Sequence, residues 1–165
     1  MAETKYGKYF ITYESPPEES ARHFFGDTAM ARFDSSVMEG SNMYWAHWYL
    51  PHEKPLGPGR PHIHKYAEVL MWFGSDPDNP LDLGAELEMR MGPEMEKHII
   101  TKSTVVFLPA YFIHCPWVPL RAWKPWLFIG IHQGPVHTIK NLPQLLTREA
   151  REELRQLGRV PPDQW

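Results

Sequence analysis

Proline and glycine punctuation sets the first limit on this fold. Seventeen prolines and eleven glycines are spread through 165 residues. Each proline fixes φ and removes a backbone donor, so few stretches can sustain a long helix. Short strands tolerate such interruption, and the segments between breakers have strand character. Ser41 to Leu50 is apolar on both alternations, the pattern of a strand covered on both faces. Gly84 to Met91 sets Ala85, Leu87, Met89 and Met91 against Glu86, Glu88 and Arg90, which marks a strand with one wet face. Further strands are expected at Lys8 to Tyr13, followed by a long loop, and in a strand–turn–strand unit over His62 to Phe73. Others are expected at Lys97 to Ile100, Thr104 to Leu108 and Trp126 to His132, with a polar loop from Ser75 to Leu83. Asn141 is placed to cap one helix running to about Leu157, with Leu142, Leu145, Leu146, Ala150, Leu154 and Leu157 as its apolar stripe. The expectation is an all-β single domain over 1–165. It has an N-terminal strand and loop over about 1–40, a strand core over about 41–135 and a C-terminal helix over about 141–158.

One set of residues carries chemistry. In Pro61-His62-Ile63-His64-Lys65-Tyr66-Ala67-Glu68, two histidines one residue apart on an extended strand face the same way, with Cβ atoms roughly 6.5 Å apart. Both imidazoles can then reach one ion. Glu68 keeps the same parity, and His114, at the end of Pro109-Ala110-Tyr111-Phe112-Ile113-His114, arrives from a distant segment. Three imidazoles and a carboxylate read as a mononuclear metal site, with Glu68 otherwise lacking a reason to be buried. Sequence does not choose among Fe(II), Mn(II), Ni(II) and Zn(II).

Around these four, His47 and His132 sit on neighbouring strands as candidate acid/base groups, because imidazole titrates near neutral pH. Arg60 is a candidate clamp for a substrate carboxylate. Trp45, Trp72 and Phe128, with Trp48, Phe107 and Trp117, are candidates for an apolar pocket wall and a substrate surface. Cys115, next to His114, is assigned to packing, and the Asp76, Asp78, Asn79, Asp82 cluster to a polar loop, since it lacks the glycine and terminal glutamate of a calcium loop. Arg148, Glu149, Arg151, Glu152, Glu153 and Arg155 make a charge-balanced, solvated helix face.

Composition excludes several partners. The net charge is −3, without a basic stripe, so nucleic acid is not expected. No apolar run approaches the roughly 20 residues of a membrane span, and the N-terminal stretch leads into no apolar signal core. A single cysteine forms no intrachain disulfide, and a cytoplasmic location is expected.

The stretch from about Gly57 to Val118 resembles the cupin superfamily. His62, His64 and Glu68 match the heart of its first motif, and Pro109 with His114 matches the second at a five-residue step. The chain departs from the pattern at its glycines. Gly57 or Gly59 is off position, Gly74 comes one residue early, Tyr111 replaces the second motif's glycine, and Val118 replaces its asparagine. The resemblance implies a cupin-type jelly-roll β-barrel with the metal inside, and a homodimer. It also implies a metal-dependent enzyme on a small molecule, foremost an Fe(II)-dependent dioxygenase acting on a small aromatic or dicarbonyl compound. A non-redox isomerase, decarboxylase or lyase, and a non-catalytic ligand-binding cupin, are the alternatives.

Overall fold

A computed structural model of the chain describes residues 4–13, 27–56 and 59–156. Its strands are β1 (Asp27–Phe33), β2 (Met43–Tyr49), β3 (His62–Ile63), β4 (Glu68–Gly74), β5 (Asp82–Met91), β6 (Glu96–Lys102), β7 (Thr104–Leu108), β8 (His114–Ala122), β9 (Trp126–His132) and β10 (Lys140–Asn141). A short helix, α1 (Arg148–Gln156), follows. The strands form two antiparallel sheets, ordered β1-β2-β9-β4-β7 and β10-β3-β8-β5-β6. No helix among the described residues is long and apolar enough to cross a membrane.

Register in the first sheet arranges its inner side chains in rows. Met43, His132, Glu68 and Leu108 lie abreast at one end. Trp45, Gly130, Leu70 and Val106 come next, then His47, Phe128, Trp72 and Thr104, and last Tyr49, Trp126 and Gly74. Strand alternation puts the intervening residues outside. The last two rows are filled by rings: Tyr49 stacks on Trp126 with centroids 4.1 Å apart, and Trp117 of β8 meets Tyr49, Trp72 and Phe128. The polar row therefore lies at one end of the barrel and the aromatic plug at the other. Gly130 is needed in the second row because a Cβ there would lie 2.4 Å from the Trp45 ring.

Three local expectations are corrected. The Lys8 to Tyr13 run forms no strand: a 3-10 turn covers Gly7–Tyr9 and Phe10 is exposed. Strand propensity there meets no partner edge among the described residues, whereas β1, inside the expected loop, pairs with β2 along its length. Asn141 caps no helix. It is buried in β10 opposite His62, and Pro143 opens a 3-10 turn after it. The helix starts later, where the Thr147 hydroxyl accepts the Ala150 N–H at 3.2 Å. Leu157 and Gly158, the expected helix end, lie outside the described residues, as does Gly57 of the motif comparison. The third correction is a missed strand. β8 holds Pro116 and Pro119, which argue against a central strand, yet it lies between β3 and β5. The ladder accommodates them through register shifts between Glu86 and Leu87 and between Met89 and Met91.

Tyr111, where the resembled motif has glycine, adopts φ +63°. Its N–H donates to the His64 carbonyl at 2.8 Å, which ties the turn before β8 to the segment carrying His62 and His64. A left-handed conformation costs a non-glycine residue about 1–2 kcal/mol. Tyr111→Gly is expected to raise stability by about 1 kcal/mol, the gain being trimmed by glycine's larger unfolded-state entropy. Denaturant midpoints check this, and an unchanged or lower midpoint refutes it.

Candidate metal centre

Four elements deliver the donors. His62 of β3 and His114 of β8 are paired in the second sheet, while Glu68 of β4 and His132 of β9 are paired in the first. His64 follows β3 directly, and His137 lies in the loop between β9 and β10. The sheets therefore bring His62, His64, Glu68 and His114 together at one end of the barrel. The inward nitrogens of His62, His64 and His114 lie within 4.8 Å of one another. Glu68 Oε2 is 3.0 Å from His114 Nε2 and 3.5 Å from His64 Nε2, and Oε1 is 3.1 Å from His132 Nε2.

The outer nitrogens decide what the inner ones can do. His62 Nδ1 donates to the Arg60 carbonyl at 2.7 Å, His114 Nδ1 to the Phe112 carbonyl at 2.9 Å, and His64 Nδ1 to the Thr138 carbonyl. A carbonyl only accepts, so each Nδ1 carries a proton, and in its neutral form each ring turns an Nε2 lone pair inward. His114 Nε2 and Glu68 Oε2 are then two acceptors 3.0 Å apart, both buried and without a hydrogen-bond partner. Such a contact is repulsive until a proton or a metal ion lies between them. Orphaned acceptors, three aligned imidazole lone pairs and one carboxylate fit a divalent ion.

Charge states agree with this. Burial disfavours ionised Glu68, which is 3% exposed, but hydrogen bonds from His114 and His132 and positive charge on His114 and His64, when those rings carry a second proton, hold it well below the usual carboxylate range. Burial, reinforced by the neighbouring imidazoles, lowers His62 well below its ordinary value. His64 is pushed down to about 4, chiefly by burial, against the opposing pull of Glu68. At neutral pH His62 and His64 are therefore neutral rings beside an ionised Glu68. Between pH 6.5 and about 4 the unfolded chain binds a proton at His64 that the folded one refuses. Metal-free protein should therefore lose about 3 kcal/mol of stability through His64 on acidification through that window, with His62 adding in the same direction, and regain it on return. Glu68 adds to the loss below its ordinary value of 4.5. Denaturant unfolding at stepped pH reads this directly, and a flat profile from pH 7 to 4.5 refutes it.

The remaining candidates separate. His132 is fully buried beside Glu68, with its ring 4.9 Å from Trp45. His47 lies two rows deeper, beside Phe128, about 13 Å along the strand from the polar row. Trp45 flanks His132 and Phe128 and is part of the site's wall. Phe128 packs between Trp45 and the aromatic plug, and Trp72, 0% exposed, belongs to that plug, with no open surface. Phe107 points outward and is 58% exposed. Arg60 enters the site through its carbonyl. Cys115 is buried, and burial together with the negative Glu68 pushes its thiol well up, which suits packing.

His137 escaped the sequence reading. Its ring is 4.9 Å from His132, 5.3 Å from His64 and 5.8 Å from Trp45, yet it reaches solvent, which places it at the mouth of the site. Protein around it, then the neighbouring imidazoles of His132 and His64, push it down to about 3. Lone histidines in loops carry no spacing signal, and nothing in Gly134-Pro135-Val136-His137 marks one. A separate groove of about 500 Å³ between β6 and β7, walled by Met89, Met91, Ile100 and Val106, includes none of the six cluster residues.

No protein-family model matches the sequence, and no curated protein matches it. Solved structures do. An oxalate oxidase in complex with the substrate analogue glycolate is 15% identical over 98% of this chain and 79% of its own, with a TM-score of 0.50. A cupin-like protein from Thermotoga maritima is 14% identical over 77% and 84%, with a TM-score of 0.48. A polyketide cyclase from Streptomyces resistomycificus is 12% identical over 87% and 84%, with a TM-score of 0.46. At such identities the likeness speaks for the fold alone.

Proposed function

Starting from a chain with the cupin fold, two antiparallel β-sheets and one short C-terminal helix, we propose that this protein is a metal-dependent enzyme acting on a small molecule. One observation carries the reading: three backbone carbonyls fix three imidazoles as inward acceptors around a buried carboxylate. His62, His64, Glu68 and His114 would hold one divalent ion. Bound there, it supplies Lewis acidity and, as Fe(II), one-electron chemistry toward dioxygen. The donor set contributes a single negative charge, so a dication keeps a net positive charge that favours an anionic substrate. Trp45 excludes water from one wall, Phe128 backs it, and Arg60 is the candidate partner for a substrate carboxylate. The reaction we favour is an iron-dependent dioxygenation of a small aromatic or dicarbonyl acid.

A second reading is favoured by His132 and His137, whose rings line the same pocket. With Nε2 at Glu68, the buried His132 Nδ1 has no hydrogen-bond partner and is placed to hold a substrate proton, as a non-redox isomerase, decarboxylase or lyase needs. Oxygen separates the two. Protein loaded anaerobically with Fe(II) should consume oxygen in proportion to substrate across a panel of small aromatic and dicarbonyl acids. Turnover without oxygen uptake would transfer the assignment to the second reading, and no turnover with any metal would leave a ligand-binding protein.

We also propose that the chain works as a homodimer through the outer face of its first sheet. Support comes from the register, which lines up Tyr44, Ile131, Val69 and Phe107 beside Ala46, Ile129, Met71 and Val105. Val105 and Phe107 are 57% and 58% exposed, a large apolar exposure for neighbouring strand positions. Sedimentation at micromolar concentration should give twice the chain mass, and a monomer throughout would dismiss the assignment.

A further inference from the structure

Glu68 has two faces. Oε2 looks toward His64 and His114, while Oε1 looks toward His132 at 3.1 Å. Beyond Oε1 lies a second convergence, in which nitrogens of His64, His132 and His137 come within 4.8 Å of one another. His132 is 0% exposed, its Nε2 faces Glu68 Oε1, and its Nδ1 has no hydrogen-bond partner. A buried ring nitrogen left so is costly unless something binds it. His137 closes the group from the solvent side, with ring centroids 4.9 Å from His132 and 5.3 Å from His64.

We propose that the pocket has a second, outer cation position, formed by His64, His132 and His137 with Glu68 Oε1, which takes a divalent transition metal in alternation with the inner position. The proposal rests on the metal-binding reading above. Nitrogen-rich donors of this kind suit Co(II), Ni(II), Cu(II) and Zn(II). Alternation follows from one shared group. His64 has its Nδ1 committed to the Thr138 carbonyl, so its single inward nitrogen serves one ion at a time. The solvent-facing His137 makes the outer position the first that an incoming ion meets.

Co(II) titration followed by visible absorption tests this, with far-UV circular dichroism as the folding control. The unaltered chain should bind one Co(II), and His137→Ala alone should still bind one, at the inner position. The double variant His62→Gln/His114→Gln leaves the inner position only His64 and Glu68, yet should still bind one Co(II). Adding His137→Ala should then weaken binding at least 100-fold. A folded double variant that binds no Co(II), or whose binding ignores His137→Ala, overturns the outer position, and two Co(II) per unaltered chain overturns alternation. Loss of all binding in His137→Ala alone would instead sink the inner reading and support the outer one. If the double variant does not fold, Co(II) NMR of the unaltered chain decides. A contact-shifted exchangeable ring proton that vanishes in His137→Ala supports the proposal, and its absence overturns it.

Discussion

Alanine at both His62 and His64 is expected to abolish stoichiometric binding of a divalent metal while the β-sheet circular dichroism spectrum persists. The two rings are 4.7 Å apart and belong to different supports, His62 to the Arg60 carbonyl and His64 to the Thr138 carbonyl. Their loss leaves His114 and Glu68 alone at the inner position. His64 is also common to both convergences of nitrogens, so among the described residues neither set of three imidazoles survives. An affinity loss of more than about 100-fold is the scale for losing two ligands, given that disturbing even an outer partner of a ligand costs about 10- to 100-fold. The fold should tolerate the change, because β3 is only two residues long and the aromatic plug lies at the other end of the barrel. Elemental analysis after metal loading and desalting reads the result. Full occupancy in the double variant would remove the site assignment.

Trp126→Ala should have the opposite profile, a large loss of stability with metal binding retained. The Trp126 ring is fully buried, stacked on Tyr49 at 4.1 Å and 7°, and met edge-on by Trp117 at 6.3 Å. Truncating a buried tryptophan costs about 3–5 kcal/mol, since the cavity lining cannot collapse fully. Its row is the furthest of the four from Glu68, roughly 20 Å along β9 at about 3.3 Å per residue. Denaturant unfolding and Co(II) titration below the melting transition measure the two effects independently. Affinity falling in step with stability would mean that the plug and the polar row are not separate units.

The strands with clear boundaries were those with a simple local signal. Trp126–His132 and Thr104–Leu108 match their expected spans because each is a nearly continuous apolar run between polar or turn residues. β8 had no such signal, since its prolines oppose strand formation locally, and register shifts on β5 absorb what they remove. The Lys8 to Tyr13 run carried strand propensity without a partner, and a strand is stabilised only by its neighbour. At the terminal helix, Pro143 and the pairing of Asn141 with His62 overrode an apolar spacing that fitted a longer helix.

By itself, the sequence determined the all-β class and the four donor types, because strand alternation and the His-x-His step are local properties of consecutive residues. Only the tertiary structure decided which end of the barrel the donors occupy and which nitrogen each ring turns inward. The carbonyl of Thr138 that fixes His64 lies 74 residues from it, and the Glu68–His132 pairing joins two strands distant in the chain. Tertiary packing also brought in His137, which no motif announced, and set His47 among the rings instead of beside the carboxylate. Such choices depend on sheet register and on the path of loops, and these are fixed by burial summed over the whole core rather than by any local pattern.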